Sequence, residues 1–334
     1  MSRPARFIST LLEYDVPEIV RLKRARGNLI AMCLIGLPDA PDYLAVTVKA
    51  GDWERFLHDR CDVRYLFTTP LARINYSFSA AELDSENVEM VRFEKELKSE
   101  WLPEIGLFAS ELSNLEEIDG ATASIERVNL DGEWDSSEFG HLQRKISDVY
   151  SFLLIVEGSL DEKAALRAKR SFYNKPLAGG SSYGSLFNDI RETLPLGEQL
   201  RLKAIQKASP GYMDLKADAN AFESLRQMVT RHQFSRSDAR DIYLELRKSL
   251  SDDKMLKRPI SSYSPTYSKN DKILQLASSI FSIFGLANID RIMELTEGNS
   301  LAFAKIALAF YRRVDEAMLY FAEGRAEFPD EDKT

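Results

Sequence analysis

Glu18-Ile19-Val20-Arg21-Leu22-Lys23, then Arg24-Ala25-Arg26-Gly27-Asn28, then Leu29-Ile30-Ala31-Met32-Cys33-Leu34-Ile35: two apolar-rich runs stand on either side of a basic, glycine-containing break. Glycine and asparagine tolerate the backbone angles of a tight reversal, so the two runs read as strands of a hairpin. Working outward, Leu37-Pro38-Asp39-Ala40-Pro41-Asp42 makes a loop, and Tyr43 to Lys49 alternates as a third strand. Trp53, Phe56 and Leu57 share one face of a short helix expected over 52–60. Further strands are expected at 73–78, 88–93 and 123–130, which makes residues 1–132 a β-rich domain.

From Glu138 the apolar period lengthens. Leu142, Ile146, Val149, Phe152, Leu153 and Val156 recur every three or four residues and predict a helix ending near Glu157. Residues 200–205 and 212–215 read as strands about the turn Ser209-Pro210-Gly211. Residues 219–232 and 235–250 read as two helices, the second opened by Ser235 as N-cap with Asp238 three residues on. The middle region, 138–250, is thus α+β. Residues 251–269 are rich in Ser, Pro, Lys and Tyr without periodicity and read as a linker or long loop. Beyond them a helical region is expected over 270–328, with Phe281, Phe284, Phe303, Phe310 and Phe321 as its helix-on-helix core. The fold class is α+β.

Of the 334 residues, 44% are hydrophobic and 29% charged, which suffices for a sizeable core. The net charge of −8 argues against a dedicated binder of nucleic acid or of an acidic membrane. Cys33 and Cys61 form no CxxC pair and no disulfide framework, which fits a reducing, cytoplasmic setting; Cys33, inside its apolar run, is expected to be a buried thiol. Met1-Ser2-Arg3-Pro4 has no apolar signal core, and the apolar stretch 276–287 falls well short of the roughly 20 residues that span a bilayer. No membrane partner and no cofactor is expected.

Four groups of residues carry candidate chemistry. Gly179, Gly180, Ser181, Ser182, Gly184 and Ser185 have the glycine spacing of a phosphate-cradling loop, but Ser185 stands where a Walker lysine would follow Gly184, and a plain surface loop accounts for them. Asp214 and Lys216 form an acidic-x-Lys pair at a strand end, the half-motif of metal-dependent nucleases, with Asp189 and Glu198 as possible further acids; such chemistry needs carboxylates converging on one metal. Arg21, Lys23, Arg24 and Arg26 are spaced to share a face of the hairpin, either a phosphate-contact patch or a solvated face. The three histidines, His58, His141 and His232, lack metal-ligand spacing, and no metal site is assigned. Arg226 and His232 have a spacing similar to the Arg–His pair of helical ribonucleases of the higher-eukaryote-and-prokaryote nucleotide-binding type; abundant arginine explains the match, and His232 is expected at an exposed helix end.

Tyr14-Asp15-Val16-Pro17, Gly27-Asn28, Tyr43-Leu44-Ala45-Val46-Thr47-Val48, Asp62-Val63-Arg64 and Thr69-Pro70 together resemble the N-terminal module of an uncharacterised bacterial domain-of-unknown-function family, over residues 11–70. The resemblance implies a bacterial origin and a small β-rich module, and it carries no active-site residue. The leading expectation is a non-enzymatic binding or interaction protein with a protein partner or a second copy, belonging to a multi-protein bacterial system such as phage defence. The alternative is a metal-dependent nuclease or phosphoryl-transfer enzyme using Asp214 and Lys216.

Overall fold

The structure is a computed structural model that describes residues 4–24, 27–68, 75–85, 87–95, 97–112, 123–157, 162–173, 186–208, 210–256, 260 and 270–329. The fold is α+β, divided into two compact units, Met1–Asp119 and Gly120–Thr334.

In the first unit the expected hairpin is β2 (Pro17–Arg24) and β3 (Gly27–Cys33), with Leu22 opposite Leu29 and Val20 opposite Ala31. A strand β1 (Ala5–Glu13) precedes it; β4 (Tyr43–Val48), helices α1 (Ala50–Leu57) and α2 (Val63–Thr68), β5 (Asn75–Phe78), β6 (Asn87–Val88) and β7 (Val91–Phe93) follow. All pairings are antiparallel, in the order β6-β1-β2-β3-β4-β5-β7. The two ends of that order are neighbours in the chain. Only Glu89 and Met90 separate β6 from β7, and an extended residue spans at most ~3.6 Å, so the two sheet edges lie within roughly 11 Å of each other. The sheet therefore curls shut into a barrel sealed by residues 87–93.

That closure explains the hairpin sequence. Val20, Leu22, Leu29, Ala31, Tyr43, Ala45, Tyr76, Phe78, Val88 and Met90 fill the barrel. Ile19, Ile30, Met32, Leu44 and Val46 point outward beneath Trp53 and Phe56 of α1, Leu66 and Phe67 of α2, and Trp101. With both faces covered, Leu29 to Met32 is apolar without alternation. The expected strand 88–93 is broken in two because its halves join opposite edges. Strand β1 shows no clean alternation because register shifts at Phe7/Ser9 and Thr10/Leu12 interrupt its pairing with β2.

The second unit holds β8 (Ala123–Leu130), α3 (Ser136–Val156), α4 (Glu162–Tyr173), α5 (Leu186–Thr193), β9 (Arg201–Gln206), β10 (Gly211–Asp218), α6 (Ala219–Asp252), α7 (Asn270–Ile283), α8 (Ile289–Leu295), α9 (Ser300–Ala322) and β11 (Ala326–Glu327). Its sheet runs β11-β8-β10-β9. The strand at 123–130, assigned from sequence to the β-rich domain, thus pairs in this unit. One core joins Val128, Met213 and Leu215 of the sheet to the helices on both sides of the expected linker. The phenylalanines expected to form helix-on-helix core are all buried there, and Phe152 lies against Phe172, Phe187, Phe281 and Phe310 at ring separations of 5.8, 6.1, 6.4 and 4.8 Å.

Two expected helices are one. Helix α6 runs unbroken for 34 residues, capped by Asp218, whose side chain accepts from the Ala221 N–H at 2.9 Å. Residues 219–252 contain neither glycine nor proline, so Ser235 has nothing to end the preceding helix and is not a cap. Among the described residues, no helix is long and apolar enough to cross a membrane.

Candidate functional site

The first unit carries a groove of about 580 Å³ at one end of the barrel. Leu12, Ile19, Met32 and Leu107 contribute its apolar lining, and Tyr14, Cys33 and Ile105 stand around it. Each arrives there for a local reason. Strand β1 ends at Glu13 and β2 starts at Pro17, so the intervening turn, in which the Tyr14 N–H donates to the Val16 carbonyl at 3.2 Å, projects Tyr14 with 74% of its surface in solvent. Cys33 is the last residue of β3 and only half-buried, which corrects its expected place in the core: the apolar run continues past the strand's end, and the thiol lies where the sheet stops covering it. Burial, foremost, raises the Tyr43 hydroxyl above its ordinary range, with Cys33 and Glu18 adding to the effect; that hydroxyl donates to the Pro17 carbonyl at 2.6 Å.

The opposite wall is the loop Pro103-Glu104-Ile105-Gly106-Leu107. It is held at three points: Arg64 donates to the Pro103 carbonyl at 2.8 Å, the Gly106 N–H to Asp62 at 3.0 Å, and the Val63 N–H to the Leu107 carbonyl at 2.9 Å. Gly106 has φ near +94°, a backbone angle that favours glycine. The pinned loop holds Ile105 outward with 82% of its surface in solvent. Glu18 on β2, Glu104 on the loop and Glu111 on the following short turn complete the lining with three carboxylates from separate segments. A rigid exposed isoleucine and tyrosine beside an apolar groove gain nothing for folding but are suited to contact with another molecule.

The residues singled out from sequence are mostly occupied elsewhere. Asp214 on β10 faces Arg127 on β8, which grips both carboxylate oxygens at 2.7 and 2.8 Å and lies over the Tyr212 ring at 3.9 Å. This hydrogen bonding holds the Asp214 carboxyl below its ordinary range. Lys216 shares that sheet face, two residues on, opposite Ile125 and Arg201. Asp189 sits on α5 and Glu198 on the short turn Leu196–Glu198. Among the described residues no group of three or more His, Cys, Asp or Glu could hold a metal, so the structure does not gather Asp214, Asp189 and Glu198 into one site.

The hairpin cations do not share a face. Arg21 lies over the Trp53 ring at 4.7 Å on the barrel's outer side, whereas Arg24 lies over Tyr76 at 4.1 Å and donates to its hydroxyl at 2.7 Å. Arg21 and Lys23 are two apart and stay together; Arg24, an odd step away, cannot. Arg26 and the whole glycine-rich group, Gly179, Gly180, Ser181, Ser182, Gly184 and Ser185, lie outside the described residues, as do residues 261–269 of the expected linker.

His232 is not at an exposed helix end. It is 1% exposed within α6, its Nε2 3.1 Å from Asp315 on α9, where Arg236 also donates at 3.1 Å. Arg226 turns instead to Glu126 on β8 at 3.1 Å, so the Arg226–His232 spacing brings no pair together. The side chains that build the groove were not singled out from sequence. Ile105 gave one signal, a lone branched apolar residue between Pro103-Glu104 and Gly106, where a loop has no core to serve. Compared with models of protein families, with curated proteins and with solved structures, the chain matches none of them.

Proposed function

We propose that this chain is a binding protein whose N-terminal barrel receives a partner polypeptide in the groove beside Ile105, as one component of a multi-protein bacterial assembly. The observation that carries this reading is an isoleucine 82% exposed on a loop held by three hydrogen bonds, beside an apolar groove. Exposed apolar side chains in a prearranged geometry are what binding sites use to limit the entropy lost on association. The nuclease reading gains nothing comparable, since Asp214 already commits both oxygens to Arg127.

The test is purification of the tagged chain from its host, followed by native mass spectrometry, for the wild type and for Ile105→Asp. A stoichiometric polypeptide held by the wild type and lost from the variant is expected. A bare wild-type chain, or a polypeptide retained equally by the variant, overturns the reading.

A further inference from the structure

Resting on that reading of the groove, we infer that its occupant is a short peptide segment in which apolar side chains are flanked by lysine or arginine. The floor takes the apolar part: Leu12, Ile19, Met32 and Leu107, with Tyr14 and Ile105 exposed at its margin. At about 580 Å³ the groove is within the ~300–1,000 Å³ range of ligand sites, room for a few side chains and not for a globular surface. The rim sets the sign of the charge. Glu18, Glu104 and Glu111 come from three separate segments and surround the floor, and none of the described lining residues is Lys or Arg. Glu13 and Asp15, both exposed, flank Tyr14 and extend the same sign along the turn. Arg64, the cation tied to this wall, donates to the backbone of Pro103 and so fastens the loop.

Three carboxylates around one apolar floor, with two more on the adjoining turn, repel an acidic ligand and attract a basic one. In a partly desolvated groove each such pairing acts at a lower effective dielectric than bulk water. Anionic lipid headgroups and nucleic-acid phosphates are disfavoured by the same field. The described residues carry ion-paired carboxylates elsewhere, such as Glu138 with Arg325 and Asp214 with Arg127; rim carboxylates that await cations from a partner would account for the contrast.

The experiment is selection of a random displayed peptide library on the immobilised full-length chain, with affinities of the enriched peptides measured by fluorescence anisotropy. Enriched sequences should combine two or more apolar residues with at least two Lys or Arg. Their affinity should fall about tenfold for the triple variant Glu18→Gln, Glu104→Gln, Glu111→Gln, and also for the wild type when salt is raised from 0.05 to ~0.5 M. The salt series needs no variant and keeps the test decisive if the triple variant folds poorly. Enriched peptides without basic residues, or affinities indifferent to salt, overturn the charge assignment while leaving the groove as a binding site. No enrichment, or peptides that bind Ile105→Asp as tightly as wild type, overturns the groove reading itself.

Discussion

The two units place their charged groups differently. In the second unit charged groups are drawn inward and neutralised. Asp148, 1% exposed on α3, sits between Arg191 at 3.0 Å and Arg313 at 3.2 Å, and Lys145 on the same helix pairs with Glu316. In the first unit the ion pairs are peripheral, as with Lys98 and Asp39, whose side chains are 40% and 77% exposed. Exposed apolar side chains occur in both units, Phe234 at 84% in the second among them, but Tyr14 and Ile105 of the first stand together at one groove. A buried ion pair costs desolvation and contributes mainly to uniqueness of packing, whereas an exposed apolar pair contributes little to folding and is available to a partner. The proposed binding groove thus belongs to the unit with the peripheral ion pairs, and the buried charge network to the other.

The largest expected effect breaks the buried charge network. Asp148→Ala leaves Arg313 with Glu316 and Arg191 with Asn188 and should cost about 3 kcal/mol in urea unfolding, while Trp53 fluorescence in the first unit, read with Trp134 replaced by Phe, stays unchanged. Equal loss in both units would show that the contrast is not one of separate stabilities.

A second expectation concerns Lys305, 4% exposed on α9, whose pKa burial lowers from 10.5 to about 8. Below pH 8 the amine is charged in both the folded and unfolded chain, and folding bears the full cost of burying that charge. Between pH 8 and 10.5 the folded chain has released a proton that the unfolded chain still holds, so stability rises across this window. Denaturation midpoints measured from pH 7 to 10 should therefore climb, and Lys305→Met should flatten the slope. A flat wild-type profile would remove the titration of Lys305 as a contributor to stability in this window.

The smallest effect sharpens the groove side of the comparison. Gly106 has φ near +94° with open space where a Cβ would project, so Gly106→Ala meets backbone strain alone and should cost only about 1 kcal/mol. Because the strain falls on the residue after Ile105, partner binding should weaken by more than that small stability loss implies. Binding unchanged by Gly106→Ala would mean that the fixed loop geometry does not matter.

The hairpin was legible because turn chemistry and apolar runs lie side by side in sequence, within residues 18–35. Barrel closure was not, since it depends on residues 87–93 reaching both edges of a sheet begun at residue 5, and two- and three-residue strands carry no period. Helix α6 was legible as helix but not as one helix, because Ser235 imitates a cap and only the lack of glycine and proline argues against it. The groove was hidden for another reason. Its lining comes from residues 12–19, 32–33 and 103–111, and no single stretch of these carries a motif. Asp214 shows the converse: an acidic-x-Lys spacing that looks chemical in one dimension belongs to a cross-strand ion pair in three.

Barrel closure also sets a timetable for the chain as it leaves the ribosome. Ala5 and Arg6 take their outer partners from Val88 and Asn87, roughly 80 residues later. At ~5–20 residues per second, the edge of β1 stays open on the nascent chain for about 4–16 s after it emerges. During that interval an unpaired strand of a nearly complete sheet is available to neighbouring chains on the same message. Translation speed across the codons for residues 5–88, and the chaperones that meet that segment, thus bear on the yield of this protein as directly as any contact in its finished fold.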